Sequence, residues 1–378
     1  MKPSILFYSD FPFGYHNTEA ETKMSHFAAR GYGVHYVEQL GIRNPRPAHA
    51  RRMLRRALGD ARRADSRAVP FEVLSPKLLP PRRAPLVDAL NRAWLKRQLR
   101  PALSDAGSTV LWVRFPTPEV VSLAESQPFR LVVYELVDDH LAGPGMTPRL
   151  QRIYRRAEER LLRRADVAFA WSEPLREKLS TRHSNVHLAP AAVDPERFAV
   201  AAAAGEPQER VALYAGSVDF RFDTELLAAT ARAAPDWRFL VAGPVTNDSN
   251  RLLAAVDGVE LLGRRPPGEM PALIAGAAVC LMPYRVNSYS ENLFPVKLVE
   301  YLAAGRPVVS TPLRAALDLG SLVSVAEGGH AFAASIREAA GNDSAERRNE
   351  RMEVAAGYSW DRRIDDMESA LNAALQHA

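Results

Sequence analysis

Short apolar runs alternate with amphipathic segments along the whole chain. Residues 5–8 and 34–37 are apolar runs of strand length, and the segment between them, which ends at Ala29, has helical spacing. This order is typical of a doubly wound α/β domain, in which ligands bind at the loop after the first strand. Tyr15 and His16 in that loop are candidates for ligand contact, with ordinary exposed loop residues as the alternative.

A second series of strands begins after a break in composition. Residues 199–209, AVAAAAGEPQE, are low in complexity and are interpreted as a linker. Beyond it, apolar runs at 211–215, 239–242, 259–262 and 279–282 alternate with helical segments, as a parallel sheet requires. The pattern predicts an α/β protein with two Rossmann-like domains, residues 1–198 and 210–360.

The segment 283–312, PYRVNSYSENLFPVKLVEYLAAGRPVVSTP, contains the clearest local signals. It predicts a loop, a short helix opened by Pro295 and closed by Gly305, and a strand at 306–310. Lys297, Glu300 and Tyr301 project to one side of this helix. The opposite side is an apolar stripe made of Leu298, Val299 and Leu302.

The polar side of this helix has the chemistry of a nucleotide site. A helix N-terminus offers unpaired N–H groups and a partial positive charge, and Lys297 in the first turn adds a full charge, which suits a diphosphate. Glu300 can accept two hydrogen bonds from vicinal hydroxyls such as those of a ribose. The alternative is a surface ion pair between Lys297 and Glu300.

Composition limits the protein class and its partners. A chain of 378 residues with 47% apolar and 25% charged residues is long enough for two ordinary globular domains. The single Cys280 forms no disulfide and fits a reducing compartment, and no apolar run reaches the roughly 18 residues of a membrane span. These features predict a cytoplasmic protein.

Charge is divided unequally between the two halves. Residues 1–198 contain 32 Lys/Arg and 21 Asp/Glu, a net charge of +11, and the remainder has a net charge of −6. A basic segment begins at Arg43 and ends at Arg67, with nine arginines and two acids. Contact with an anionic membrane at the inner face and a solvated arm are the two interpretations of this segment. It resembles no module that reads bases, so no nucleic-acid partner is expected.

Polar groups follow several predicted strands at their carboxyl ends. Glu135, Asp138, Asp139 and His140 come after the strand at 131–134, where side chains act in ligand sites. Helix capping near Thr147 is the alternative for part of this cluster. Gly216 with Ser217 allows close approach of the backbone to a phosphate. Arg264 and Arg285 follow later strands and are candidates for ligand contact, with ordinary surface charge as the alternative.

Three of these stretches resemble one enzyme family. ENLFPVKLVEYLAAGRPVV is similar to the donor-binding segment of nucleotide-sugar glycosyltransferases with the GT-B fold, of the family 4 or group 1 type. Many retaining members have two glutamates eight positions apart, whereas this chain has Asn292 eight positions before Glu300, with Glu291 beside it. VVYELVDDHLAGPG also resembles the xanthan-type glucuronosyltransferases, which invert and use an Asp matching Asp138 as base. Arg221 resembles the residue that grips the donor diphosphate.

The resemblance implies a fold and a division of labour. It implies a GT-B fold of two doubly wound Rossmann-like domains that face each other across a cleft, with the final helix, about residues 361–378, packing back on the first domain. Its implied catalytic residues are Asp138, Asp139, His140 and Glu291. Its implied donor-binding residues are Gly216, Ser217, Arg221, Arg264, Arg285, Asn292, Leu293, Phe294, Lys297 and Glu300. Tyr15 and His16 are on the acceptor side.

The predicted reaction is transfer of a hexose from a UDP- or GDP-linked sugar to an acceptor hydroxyl of a saccharide, a lipid-linked saccharide or a small molecule, in polysaccharide biosynthesis. Neither a cofactor nor a metal is expected, since Arg221, Lys297 and the helix N-terminus would stabilise the leaving diphosphate. Retention is favoured by the Lys-x-x-Glu-Tyr signature, and inversion with Asp138 as base is the alternative. A sugar-nucleotide epimerase and a non-catalytic binding protein on the same scaffold are alternatives of other classes.

Overall fold

The computed structural model describes residues 2–14, 18–38, 69–79, 85–143, 146–203, 207–246 and 249–377. Tyr15, His16 and the basic segment 43–67 lie outside the described residues, so the predictions made for them stay predictions.

The first part of the chain forms a seven-stranded parallel sheet. Its strand order is β3-β2-β1-β4-β5-β6-β7. The strands are β1 (Ser4–Tyr8), β2 (Gly33–Val37), β3 (Glu72–Leu74), β4 (Thr109–Val113), β5 (Leu131–Leu136), β6 (Val167–Ala170) and β7 (Val186–Leu188). Helices α1 (Thr18–Ala29), α2 (Pro85–Gln98), α3 (Pro118–Ser126), α4 (Pro148–Arg164) and α5 (Glu173–Ser180) connect them. The central strands β4 and β5 are buried along their whole length, as expected for a parallel sheet covered on both faces.

The second part forms a six-stranded parallel sheet in the order β10-β9-β8-β11-β12-β13. The strands are β8 (Gln208–Ala215), β9 (Arg238–Ala242), β10 (Val259–Gly263), β11 (Ala277–Met282), β12 (Val308–Ser310) and β13 (Val323–Val325). The helices are α6 (Pro195–Ala203), α7 (Thr224–Ala233), α8 (Ser249–Ala254), α9 (Met270–Ala275), α10 (Val296–Ala303), α11 (Arg314–Leu317), α12 (Gly329–Gly341), α13 (Ala345–Ala356) and α14 (Trp360–His377). The predicted α/β class with two parallel sheets is confirmed.

The contacts within the chain divide it into two units. The first contains Met1–Val137, Gly145–Ala189 and Ile364–Ala378, and the second contains Asp138–Pro144 and Pro190–Arg363. The sequence placed the boundary later, in a linker at 199–209. In the structure α6 runs to Ala203 and β8 begins at Gln208, so the described ends of that run are regular structure. Among the described residues, no helix combines the length and apolarity that a bilayer span requires.

Candidate functional site

Helix α10 begins and ends at the residues that the sequence indicated. Pro295 is its N-cap, with an extended backbone at φ −69° and ψ 118°. Gly305 follows the helix with φ 64°, the left-handed conformation that glycine adopts at little cost. The predicted apolar stripe of Leu298, Val299 and Leu302 is buried in the core of the second unit. The first turn of the helix is therefore fixed in position.

One residue on the polar side of α10 was predicted wrongly. Tyr301 is fully buried, and its hydroxyl oxygen accepts a hydrogen bond of 2.9 Å from the backbone N–H of Ala215 at the end of β8. This bond satisfies a buried donor at the carboxyl end of the sheet, where leaving it unpaired would cost about 1–3 kcal/mol. Tyr301 therefore ties α10 to the sheet, and the ligand-facing candidates of the helix are Lys297 and Glu300.

Lys297 lies against the turn that follows β8. Its ammonium donates a hydrogen bond of 2.8 Å to the hydroxyl of Tyr284. A Cβ placed on Gly216 would lie 2.5 Å from Cε of Lys297 and 2.8 Å from Nζ, so the lysine occupies the space that any other side chain at residue 216 would fill. Within the described ranges, Lys297 has no carboxylate at ion-pair distance.

A second glycine makes the same turn possible. A Cβ on Gly243, which follows β9, would lie 1.9 Å from the carbonyl oxygen of Gly216. The neighbouring Gly216 N–H donates a bond of 2.8 Å to the carbonyl of Ala242. The loops after β8 and β9 therefore approach backbone to backbone, and Gly243 was not singled out in the sequence because its partner lies 27 positions away.

Arg221 is held by a carboxylate two residues before it. Its Nε lies 3.0 Å from Oδ1 of Asp219 and its Nη2 also bonds to this carboxylate, which lowers the pKa of Asp219 although burial alone would raise it. The guanidinium carbon is 5.8 Å from the centre of the Tyr284 ring. The backbone N–H of Arg285 donates a 2.7 Å bond to the carbonyl of Arg221, which fixes the loops after β8 and β11 together.

Tyr284 lies between the two cations of the site. Burial would raise the pKa of its hydroxyl, but the charges of Lys297 and Arg221 outweigh burial and lower it. Nζ of Lys297 is also 5.3 Å from the centre of this ring. The hydroxyl of Tyr214 lies 3.5 Å from that of Tyr284 and donates a 2.9 Å bond to the carbonyl of Ser217. The side chains of Tyr284 and Tyr214 therefore support the two positive charges of the site.

Glu300 is half-buried one turn beyond Lys297. Burial raises the pKa of its carboxyl group, and the charges of Lys297 and Arg197 offset part of that rise. Among the described residues no side chain is within ion-pair distance of this carboxylate. A ligand with hydroxyl groups could therefore use both of its oxygens.

The four candidates before α10 fall into different environments. Glu291 is exposed, and the side-chain amide of Asn292 donates a 2.8 Å bond to the carbonyl of Ser288. Leu293 is buried in the core of the second unit, and Phe294 stacks on Tyr358 with ring centres 5.4 Å apart. The side chains of Leu293 and Phe294 thus pack within the second unit. Only their backbone is available to a nucleotide-sugar ligand.

The acidic strand end is also fixed in the second unit. Asp138 follows β5, and its negative charge acts with burial to raise the pKa of the Tyr289 hydroxyl, so the two side chains are neighbours. Tyr289 in turn packs edge-on against Phe220, with ring centres 5.2 Å apart. The backbone N–H of His140 donates a 2.8 Å bond to the carbonyl of Asp138, and Asp139 lies between them in the same tight turn.

Comparison with known proteins gives these residues a context. Residues 210–342, which include α10 and the β8 turn, match the family described as Glycosyl transferases group 1. The chain is 29% identical over 286 residues to TuaH of Bacillus subtilis (strain 168), which is described as a teichuronic acid biosynthesis glycosyltransferase. That alignment covers 70% of this chain and 72% of TuaH.

Solved structures share the fold over nearly the whole chain. Anabaena Alr3699/HepE in complex with UDP superimposes with a TM-score of 0.68 at 15% identity, covering 99% of this chain and 100% of that one. The complex of the same protein with UDP-glucose has a TM-score of 0.68 at 14% identity, covering 98% of this chain and 100% of that one. A trehalose 6-phosphate synthase from Burkholderia multivorans gives 0.64 at 13% identity, covering all of both chains. The chain has the GT-B fold, and its residues 210–342 form a domain of the group 1 glycosyltransferase family.

Two predicted donor contacts of the glycosyltransferase lie outside the cluster around α10. Arg264 follows β10 and Arg285 follows β11, and both side chains are exposed. Their strand-end positions agree with the sequence interpretation, but no described contact distinguishes a ligand role from surface charge. Within the described residues, no three His, Cys, Asp or Glu side chains are arranged to hold a metal ion.

The sequence reasoning missed the residues that contact the predicted site residues Arg221, Lys297 and Asp138. These are Asp219, which orients Arg221, Tyr284 and Tyr214, which lie against the cations, and Tyr289, which neighbours Asp138. Tyr284 carried a usable signal, because it comes two residues after a buried strand, where the carboxyl edge of a parallel sheet begins. Tyr289 carried none, because its partner is distant in the sequence.

A separate charged network lies buried in the first unit of the glycosyltransferase. Lys23 of α1 donates to both carboxylate oxygens of Glu135, at 2.5 and 2.6 Å, and the indole N–H groups of Trp112 and Trp171 donate at 2.7 and 2.9 Å. Burial would raise the pKa of Glu135, but the charges of Lys23 and Arg114 outweigh burial and lower it. The sequence grouped Glu135 with the acidic strand end, whereas the structure makes it a buried structural carboxylate inside β5.

Proposed function

We propose that this glycosyltransferase moves a sugar from a UDP-sugar to a hydroxyl group of a glycan acceptor in polysaccharide biosynthesis. The donor class is supported by the UDP and UDP-glucose complexes of the Anabaena neighbour, and the pathway class by the description of the Bacillus relative. The second unit would hold the donor, since it contains the family match and the cation cluster. The first unit would hold the acceptor.

The observation that carries the proposal is the state of Lys297. Its ammonium is packed against Gly216 at the β8 turn, at the N-terminus of α10, without a carboxylate partner among the described residues. A partly buried cation of this kind is stabilised by an incoming anion, and the helix N-terminus adds to the attraction. A diphosphate placed there would gain most as its charge develops in the transition state.

Arg221 would supply the second positive charge. Asp219 fixes its guanidinium through Nε and Nη2, and the backbone bond from Arg285 fixes the loop that holds it. A cation held in place before the reaction needs no reorganisation when the leaving group forms. With Lys297 and Arg221 in these places, the protein itself offers two charges to the leaving diphosphate, and transfer without a metal is the mechanism that we propose.

Glu300 would bind the ribose. Its half-buried carboxylate lies on the same side of α10 as Lys297, one turn further along. An ionised carboxylate accepts hydrogen bonds from both vicinal hydroxyls of a ribose. Gly216 and Ser217 would present backbone to the phosphates, as the absence of a Cβ at residue 216 allows.

Asp138 is the residue that separates two stereochemical outcomes. If the enzyme retains configuration, as the Lys297–Glu300–Tyr301 signature favours, Asp138 orients the sugar or the acceptor. If it inverts, Asp138 removes the acceptor proton, and Asp138→Asn would be almost inactive. Tyr289 would lie beside the carboxylate in either case. The anomeric configuration of the product by NMR distinguishes the two.

The first experiment is a thermal-shift panel of UDP- and GDP-linked sugars on the full chain. A ligand bound to the native state at 100 times its Kd stabilises it by roughly 2.7 kcal/mol, so the correct donor raises the Tm by several degrees. The same titration on Lys297→Ala should show a much smaller shift, and Arg314→Ala, an exposed substitution in the second unit, should behave like the wild type. Equal shifts in all three proteins would remove Lys297 from the donor site.

Turnover distinguishes a transferase from the alternatives. UDP release that depends on an acceptor supports transfer, whereas conversion of the sugar nucleotide without release of UDP supports an epimerase. Lys297→Ala should lower kcat/KM by about 10²-fold or more, because removing one hydrogen-bond donor to a charge that develops in the transition state has an effect of this size. A protein that binds the nucleotide without any turnover would be the non-catalytic alternative.

A further inference from the structure

Helix α2 exposes large apolar side chains on one side. Leu86, Leu90 and Trp94 are 82%, 59% and 46% exposed, and their spacing of four residues places them on one side of the helix. We call these three residues the α2 ridge. The other side of the helix is in the core, where Leu95 and Leu99 are each 1% exposed. The ridge is therefore the outer side of a packed helix.

The ridge belongs to a rigid surface. The buried side-chain amide of Asn91 accepts a 2.7 Å bond from the backbone N–H of Leu79 and donates a 3.0 Å bond to its carbonyl. Gln98 makes the same pair of bonds with Lys77, at 2.8 and 2.9 Å. These bonds fasten the segment before α2 to the helix, and Leu79 on that segment is itself 48% exposed.

The same helix and the residues just after it carry exposed cations. Arg92, Lys96, Arg97 and Arg100 are exposed, and none of the four has a carboxylate at ion-pair distance among the described residues. The segments α2, α3 and α4 contain ten Lys/Arg and five Asp/Glu. The surface around the ridge is therefore strongly positive as well as apolar.

The three helices share one face of the first sheet. They connect β3 to β4, β4 to β5 and β5 to β6, and these strands follow one another in the same direction across the sheet. Parallel connections are right-handed, so helices that advance in one direction lie on one side. α3 packs against both α2 and α4. On α4, the exposed arginines without a described carboxylate partner are Arg152, Arg155, Arg156 and Arg163.

We propose that the outer face of α2, α3 and α4 binds an anionic lipid bilayer, with the α2 ridge at the boundary between headgroups and acyl chains. Apolar and aromatic side chains flanked by Lys and Arg are the composition of helices that lie in the plane of a membrane. Tryptophan is enriched at this depth, and anionic lipids attract the flanking cations. The proposal is independent of the basic segment 43–67.

Charge also argues against other occupants. A symmetric dimer through this face would place the same cations opposite each other, and like charges at an interface are unfavourable. Nucleic acid would use the arginines, but it offers no apolar medium for Leu86 and Leu90. An anionic bilayer accommodates both features of the surface.

The test is flotation of the full-length protein with vesicles of phosphatidylcholine alone or with added phosphatidylglycerol. We expect binding to the anionic vesicles that weakens with salt, and little binding to phosphatidylcholine. Leu86→Gln/Leu90→Gln/Trp94→Gln should bind at least tenfold more weakly, because it removes the apolar contribution. Leu317→Gln is the matched control, since Leu317 is 52% exposed in the second unit, and it should bind like the wild type.

Two further measurements keep the outcome decisive. Trp94 is the most exposed of the five tryptophans, so insertion should shift the emission to the blue in wild type and not in Trp94→Phe. Unchanged melting temperature and donor turnover in the triple variant would show that it is folded. Absence of binding to anionic vesicles, equal binding by the triple variant, or a dimer in sedimentation that the triple variant abolishes would each overturn the proposal.

Discussion

Replacing Gly216 by alanine is the sharpest test of the donor site, because it moves Lys297 without removing it. A Cβ on residue 216 would lie 2.5 Å from Cε of Lys297 and 2.8 Å from Nζ. Carbon atoms in contact are about 3.5–4.0 Å apart, so the end of the lysine must shift by roughly 1 Å or more. The 2.8 Å hydrogen bond to Tyr284 would then be lost.

The size of the effect follows from this displacement. A charged group misplaced by about 1 Å can lower the rate by about 10²-fold, so we expect kcat/KM of Gly216→Ala to fall by about that factor. Stability should change little, because the clashing atoms are the end of a flexible side chain. Alanine also reduces the freedom of the unfolded chain, a gain of about 0.4–1 kcal/mol.

Gly243→Ala is the matched control. Its Cβ would lie 1.9 Å from the carbonyl oxygen of Gly216, and a backbone atom cannot turn away as a lysine can. Overpacking of this kind costs about 1–3 kcal/mol or more, which corresponds to a fall of several degrees in Tm. The two glycines line the same turn, so they should separate a loss of function from a loss of fold.

The measurements are UDP affinity by calorimetry, kcat/KM for UDP release, and Tm by calorimetric scan. Gly216→Ala should bind UDP weakly and melt near the wild-type temperature, whereas Gly243→Ala should melt lower. If Gly216→Ala binds UDP as the wild type does, Lys297 does not hold the diphosphate. If it melts as low as Gly243→Ala, the lysine has not moved and the argument from flexibility fails.

Four further outcomes follow from the surroundings of single side chains. Tyr301→Phe should lower the free energy of unfolding by about 1–3 kcal/mol in urea titrations, since it leaves the Ala215 N–H unpaired, and an unchanged value would contradict this. Lys23→Met should cost about 3–5 kcal/mol at pH 7, because Glu135 would be left as a buried charge. The folded state lowers the pKa of Glu135, so this carboxylate stabilises the fold at pH values above its unfolded pKa of about 4.3. That stabilisation is lost as the pH falls below this value. In acid unfolding curves, the difference in free energy of unfolding between wild type and Glu135→Gln should therefore become smaller. Glu300→Ala should raise KM for the nucleotide sugar by about 10–10²-fold, and no change would argue against a ribose contact.

Local signals predicted the elements that frame the proposed donor site. Pro295 and Gly305 gave the limits of α10 because each acts through its own backbone conformation. The alternation of apolar runs predicted both parallel sheets for the same reason. Such features depend on residues close in the sequence, and a sequence pattern records them directly.

The same local reasoning failed at Tyr301, because the environment of this residue is set by elements distant in the sequence. A helical projection shows which residues share a side, but it cannot show that the sheet covers this tyrosine while α13 packs elsewhere on the helix. Glu135 was misassigned for a related reason. The strand continues to Leu136, and the two indole donors that make a buried carboxylate tolerable come from β4 and from the loop after β6.

The two charged clusters of the molecule differ in how their cations are paired, and this difference separates structure from function better than burial does. In the first unit, Lys23 and Arg114 each have carboxylates within 3.3 Å, so both cations are paired. In the second unit, Arg221 is paired with Asp219, but Lys297 is bonded to the hydroxyl of Tyr284 and has no carboxylate at ion-pair distance among the described residues. A folded protein keeps an unbalanced cation at a strand end only where other interactions hold it there, and the tyrosines, Gly216 and Gly243 do so here. The unpaired ammonium of Lys297 is therefore the property that makes this cluster, and not the one in the first unit, the place that we propose for an anionic leaving group.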